Sequence, residues 1–118
     1  MGNKGGVVQK SLLRERARVF KALAHPVRLR LVEELRGGPV CVCELAALFP
    51  IGLPAISKHL GLLREAGVVA VRKEGTRSIH SLVMPCMLES FACIDRLILE
   101  RLDEQESLRE QMSEQVMA

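Results

Sequence analysis

Four cysteines are the residues of this 118-residue chain whose chemistry is easiest to specify. Cys41 and Cys43 are separated by one residue and follow a Gly-Gly-Pro turn, so two thiols could converge on one soft ion. Thiolates are soft donors that favour thiophilic ions such as As(III), Sb(III), Cd(II) or Pb(II) over Mg(II) or Ca(II). A nearby helix N-terminus would lower the pKa of these thiols, which favours a ligand or redox role for the pair over simple packing.

Cys86 and Cys93 are seven residues apart and would lie on one face of a helix. They are either additional ligands or small buried apolar residues. The chain shows no apolar run long enough for a membrane span and no secretory signal, so we expect a cytoplasmic protein without a membrane partner. Thiols stay reduced in the cytoplasm, and this favours metal, metalloid or redox chemistry over structural disulfides.

Composition predicts a mainly helical protein in which residues 1–99 carry a net positive charge. Hydrophobic residues make up 48% of the chain with three Phe and no Trp or Tyr, so the core must be aliphatic. Residues 1–99 carry 15 Lys and Arg against eight Asp and Glu, whereas residues 100–118 carry two against six. A basic body suits a polyanionic partner such as DNA, although solvated charged faces would give the same count.

The chain is expected to divide into three segments. Residues 1–10 are Gly-rich and predicted to form a disordered lead, and residues 103–118 are predicted to form an acidic, frayed tail. Residues 11–102 are predicted to form one mainly α domain with a small β-hairpin. Its helices are predicted over 11–24, 26–36, 43–48, 53–66 and 85–102, with the hairpin turning at Glu74-Gly75-Thr76.

The order helix, turn, helix and basic hairpin is that of a winged helix-turn-helix, a DNA-binding arrangement whose second helix enters the major groove. On that helix, side chains expected to reach base edges or phosphates are Ser57, Lys58, His59 and Arg64. On the hairpin, Arg72, Lys73 and Arg77 are expected to contact the DNA backbone or minor groove. Each of these side chains alone is most often merely solvated, and their shared surface is what favours DNA binding.

Two stretches, FKALAHPVRL at 20–29 and ISKHL at 56–60, resemble the opening motif and the recognition helix of the ArsR/SmtB family of small bacterial repressors. The resemblance extends from about Val19 to Leu102. It implies a homodimer joined through the first and last helices and a palindromic double-stranded operator. The family commonly has Ser-Gln before the proline of this helix, where this chain has Gly52-Leu53. Base readout at Leu53 is therefore expected to be weaker, to be an apolar contact with a thymine methyl group, or to shift to Ser57 and His59.

The segment Cys41-Val42-Cys43-Glu44-Leu45 resembles the cysteine motif of the arsenic- and antimony-responsive members of this family. The resemblance implies that As(III) or Sb(III), or another thiophilic metal ion, is the inducer and that DNA binding needs no cofactor. A trivalent ion prefers three sulfurs, but residues 44–48 contain no third Cys, so Cys86 or Cys93 of either subunit is the candidate. A zinc or nickel site on the last helix lacks the His and carboxylate ligands that it needs.

One other sensing chemistry remains open on the same scaffold. Cys41 or Cys43 could form a disulfide or polysulfide bridge with Cys86 or Cys93, which would make the protein a redox or persulfide sensor. A thiol enzyme is disfavoured, because no phosphate-cradling loop or acid-base constellation accompanies a cysteine. The sequence thus predicts a repressor that is not an enzyme.

Overall fold

The structure, a computed structural model, describes the backbone of residues 2–117 and the side chains of residues 9–115. The chain separates into two compact units, one ending at Pro85 and one beginning at Cys86. Elements in the described chain are α1 (Gly2–Leu23), α2 (Pro26–Glu34), β1 (Val40–Cys41), α3 (Val42–Ala47), α4 (Leu53–Glu65), β2 (Val69–Glu74), β3 (Arg77–Leu82) and α5 (Met87–Met117). This mainly helical architecture with a small antiparallel sheet confirms the predicted fold class.

The core of the first unit is aliphatic, as the composition requires. Helix α4 contributes Ile56, Leu60 and Leu63, each at most 1% exposed, at the three-to-four spacing that defines one helix face. Leu31 of α2 and Leu45 of α3 are fully buried as well. Burying each such side chain contributes about 1.5–3 kcal/mol, so these residues fix which face of α4 points outward.

The sheet has three strands in the order β1-β3-β2, all antiparallel. Strands β2 and β3 form the predicted hairpin, which turns at Gly75 with a φ of +62° that only glycine adopts without strain. Strand β1 was not predicted, because two residues are too few for an alternating pattern to be visible. It pairs Val40 with His80 and Cys41 with Ile79 and so extends the hairpin directly to the start of α3.

Two helices are longer than the sequence pattern predicted. Helix α1 begins at Gly2 and α5 continues to Met117, where a disordered lead over 1–10 and a frayed tail over 103–118 were expected. Residues 103–117 contain no Pro or Gly and are rich in Glu and Gln, so helix propensity alone continues the helix without a buried face. The division into lead, domain and tail stays a prediction.

Large apolar side chains on α1 and α5 remain exposed, which a monomer does not explain. On α1 these are Leu12, Leu13 and Phe20, each between 51% and 58% exposed. On α5 they are Ile94, Leu97, Ile98, Leu99 and Leu102, at 50–60%. None of the helices over residues 2–117 combines the length and apolarity of a membrane span.

Candidate nucleic-acid interface

Helices α3 and α4 form the helix-turn-helix, and the turn between them is set by Gly52. This residue precedes α4 with φ +86° and ψ 163°, a conformation that other residues rarely adopt. Its carbonyl accepts the first hydrogen bond of α4, from the Ile56 N–H at 3.2 Å. Pro54 follows near the helix start, where its missing N–H is tolerated.

The outward face of α4 presents most of the residues expected to reach DNA. Ser57, Lys58 and Arg64 are exposed, and Leu53 is 43% exposed at the helix start. All four lie outside the stripe of Ile56, Leu60 and Leu63 that faces the core. The structure therefore brings these four predicted residues together on one outward-facing surface.

His59 departs from its expected position on that surface. It is half-buried, and its ring packs against the ring of His25 with centroids 4.6 Å apart. Burial first, and then the charges of His25, Arg28 and Lys58, lower the pKa of His59 below its ordinary value. A histidine with a lowered pKa is neutral at pH 7, so His59 adds no positive charge to the candidate DNA surface.

The histidine pair also connects α4 to the start of α2. The Nδ1 atom of His25 accepts a hydrogen bond from the Val27 N–H at 3.1 Å and thereby caps α2. The Nδ1 atom of His59 is buried and has no hydrogen-bond partner among the described residues. His59 thus contributes to the packing of α4 against α2 more than to the exposed face.

The β2–β3 hairpin, which we call the wing, carries the three predicted cations in exposed positions. Arg72 pairs with Glu74 at 3.5 Å, and the Nζ of Lys73 donates to the Ser78 hydroxyl at 2.9 Å. Both contacts lie within the wing itself. Exposed pairs of this kind contribute at most about 1 kcal/mol, so DNA phosphates can compete for Arg72 and Lys73.

Arg77 differs from the other two cations because it reaches α3. Its Nη2 atom donates to Oε1 of Glu44 at 3.2 Å. The neighbouring Arg77 guanidinium, and after it the backbone N–H of Cys43, lower the pKa of the Cys41 thiol, whereas burial opposes them. A thiol with a lowered pKa has a larger thiolate fraction at neutral pH and is a better nucleophile and soft ligand.

The cysteine pair lies at the junction of the wing and the helix-turn-helix. Cys41 ends β1, caps α3 and is 3% exposed, whereas Cys43 in the first turn of α3 is exposed. Because Cys41 precedes α3 directly and Cys43 lies in its first turn, both thiols are located at this junction. Sequence reasoning identified both cysteines but missed Glu44 and the Cys41–Arg77 contact, which depend on β1.

The other two cysteines, Cys86 and Cys93, are exposed and belong to the second unit. None of the four cysteines, all of which lie in the described part of the chain, forms a disulfide. Across the described residues, no group of three or more His, Cys, Asp or Glu side chains is arranged to hold a metal ion. The expected third ligand to the Cys41 and Cys43 pair therefore stays a prediction.

A helix-turn-helix followed by an antiparallel wing defines a winged helix-turn-helix protein. The sequence profile of bacterial regulatory proteins of the arsR family matches residues 25–71. The chain is 37% identical over 82 residues to the uncharacterized HTH-type transcriptional regulator MJ1325 of Methanocaldococcus jannaschii, covering 69% of this chain and 92% of that protein. It is 34% identical over 93 residues to the arsenical resistance operon repressor of Bacillus subtilis, covering 75% and 89%.

Among solved structures, the chain is similar to the homodimeric winged helix-turn-helix DNA-binding domain of Mb0332 from Mycobacterium bovis. The TM-score is 0.71 at 31% identity, and the match covers 81% of this chain and 89% of that one. This chain therefore belongs to the ArsR family. It is a DNA-binding transcriptional regulator and not an enzyme.

Proposed function

We propose that this regulator is a repressor that binds its operator as a homodimer and releases it when As(III) or Sb(III) is captured at cysteine thiolates. The observation that carries the proposal is the position of buried Cys41 next to Cys43 at the start of α3, with the Cys41 pKa lowered by Arg77. The relative from Bacillus subtilis is named as an arsenical resistance operon repressor, which agrees with this chemistry. Another thiophilic metal ion would use the same sulfurs.

The proposed DNA contacts follow from exposure and charge. Leu53, Ser57, Lys58 and Arg64 of α4 would enter the major groove, and Arg72 and Lys73 of the wing would contact the adjacent backbone. Arg77, positioned by its pair with Glu44, would contact the backbone beside them. His59 would act by supporting α4. DNA binding by itself would need no cofactor.

The proposed dimer would use the exposed apolar side chains of α1 and α5, and Mb0332 is described as homodimeric. A two-fold symmetric dimer presents two copies of α4, so a palindromic operator is the matching DNA. Such a regulator would act in the cytoplasm, where its thiols stay reduced.

Capture of the metalloid would act by population shift. As(III) would bind Cys41, Cys43 and a third thiol from Cys86 or Cys93, and would favour the conformation with low DNA affinity. A hundredfold loss of operator affinity requires about 2.7 kcal/mol of coupling between the two sites. Because Cys41 lies immediately before α3 and pairs with β3, a change at its sulfur would affect both the helix-turn-helix and the wing.

The test is operator binding by the wild type and by Cys41→Ser, Cys43→Ser, Cys86→Ser and Cys93→Ser, each with and without arsenite. We expect Cys41→Ser and Cys43→Ser to bind the promoter ahead of the protein's own gene and to ignore arsenite. Of Cys86→Ser and Cys93→Ser, the variant that behaves likewise identifies the third ligand, and the other serves as its matched control. Four variants that all still release DNA would refute the site.

A redox or persulfide sensor of the same fold is the second candidate, and the lowered pKa of Cys41 favours it equally. Thiol counting separates the two chemistries. Arsenite that protects three thiols per subunit from alkylation supports the metalloid sensor. A covalent bridge formed by peroxide or polysulfide in the absence of metal, together with loss of DNA binding, supports the redox sensor.

A further inference from the structure

A cleft between α1, α2 and α4 has no part in the function proposed above. Its volume of about 280 Å³ is close to the lower end of small-ligand sites, about 300 Å³. One wall is apolar and is formed by Ala22, Leu62 and Ala66. The charged lining consists of Arg18, Lys21, Arg28 and Glu65, so three cations face a single carboxylate.

Arg28 is the residue that indicates a ligand. Its Nε atom is buried and has no hydrogen-bond partner within the described part of the chain. A guanidinium stays charged at every pH at which the protein is folded, and a buried N–H donor normally has an acceptor. Of the five ion pairs in the described residues, none includes Lys21, Arg28 or Glu65, and Arg18 pairs with Glu15 at 3.3 Å.

We propose that this cleft binds a short-chain hydroxycarboxylate. Its carboxylate would accept hydrogen bonds from Arg28 and Lys21, and its carbon chain would lie against Leu62 and the two alanines. Glu65 would accept a hydrogen bond from the ligand hydroxyl, which a simple fatty acid cannot donate. Inorganic phosphate would satisfy the cations but would leave the apolar wall uncovered.

Calorimetric titration of the full-length reduced protein, without DNA, tests this proposal independently of the thiol chemistry. We expect saturable binding of hydroxybutyrate that is tighter than binding of butyrate, with inorganic phosphate the weakest of the three probes. Arg28→Gln should weaken hydroxybutyrate binding by about tenfold or more. The matched control is Arg36→Gln, just beyond the end of the same helix, whose guanidinium already bonds to Glu33 at 2.7 Å, and it should bind as the wild type does.

Two further variants separate the parts of the site. Lys21→Gln alters an exposed side chain and should weaken all three anions, which keeps the test valid if Arg28→Gln fails to fold. Glu65→Gln should tighten butyrate, because it removes the carboxylate that repels it. Absence of saturable binding, equal weakening by Arg28→Gln and Arg36→Gln, or phosphate binding as tightly as hydroxybutyrate would each overturn the proposal.

Discussion

The positive charge of Lys58 allows the contact between α4 and DNA to be tested through the salt dependence of binding. It is exposed on the outward face of α4 and takes part in none of the ion pairs of the described residues. Lys58→Gln removes the charge while keeping a polar side chain. Each lysine contact to a B-DNA phosphate contributes about 0.9 to the slope of log K against log salt, and a homodimer makes the contact twice. The magnitude of the slope should therefore fall by about 1.8.

This change in slope has a direct consequence for affinity. Raising the salt from about 50 mM to about 200 mM should cost the variant about tenfold less affinity than it costs the wild type. Fluorescence anisotropy with a labelled promoter duplex measures both slopes. Arg36→Gln carries the same loss of charge at the end of α2 and should leave the slope unchanged. An unchanged slope in Lys58→Gln, or an equal fall in Arg36→Gln, would refute the assignment of Lys58 to a phosphate.

Three other outcomes are expected. Arg77→Met should raise the pKa of Cys41 and slow its alkylation at neutral pH, measured in a chain whose other three cysteines are serine; an unchanged rate would contradict the Arg77 contact. Burial, followed by the charge of Arg64, lowers the pKa of His80 below 6.5, so the unfolded state binds the proton first and stability should fall as the pH drops below 6.5. Urea unfolding across this range should show a weaker pH dependence in His80→Gln. Leu60→Ala should lower the free energy of unfolding by about 2–5 kcal/mol, whereas Leu62→Ala, 39% exposed in the same helix, should lower it much less.

The helix-turn-helix and the wing could be predicted because their patterns are local. Ile56, Leu60 and Leu63 recur at helical spacing, and their burial fixes the outward face of α4. The hairpin follows from alternating residues around a Glu-Gly-Thr turn. On α1, the same reasoning identified an apolar face but not the residues that cover it. Leu12 and Leu13 on this face are about half-exposed in the structure. Periodicity shows that a face is apolar and says nothing about which chain covers it.

The contacts that reshape the site are non-local and have no sequence signature. His59 follows the buried Ile56 by three positions, and its partner His25 lies 34 residues earlier, so only the packing of α2 against α4 reveals the pair. Strand β1 is two residues long, and the Cys41–Arg77 contact depends on its pairing with β3. The sequence could therefore assign Arg77 to DNA, which stays a prediction, but could not reveal that Arg77 also pairs with Glu44.

The position of Arg77 between the wing and α3 offers a route by which either proposed sensing chemistry could change DNA affinity. The Arg77–Glu44 pair is exposed on both sides and contributes little by itself, so the effect of Arg77 on the pKa of the Cys41 thiol is what distinguishes Arg77 from a solvated cation. A sulfur bound to As(III) and a sulfur in a disulfide both lose the negative charge that attracts a guanidinium. Both chemistries would therefore weaken the same link between the wing and α3. A regulator with the proposed site would thus respond to different thiophiles through one residue, and the identity of its inducer would depend on the third sulfur and not on this link.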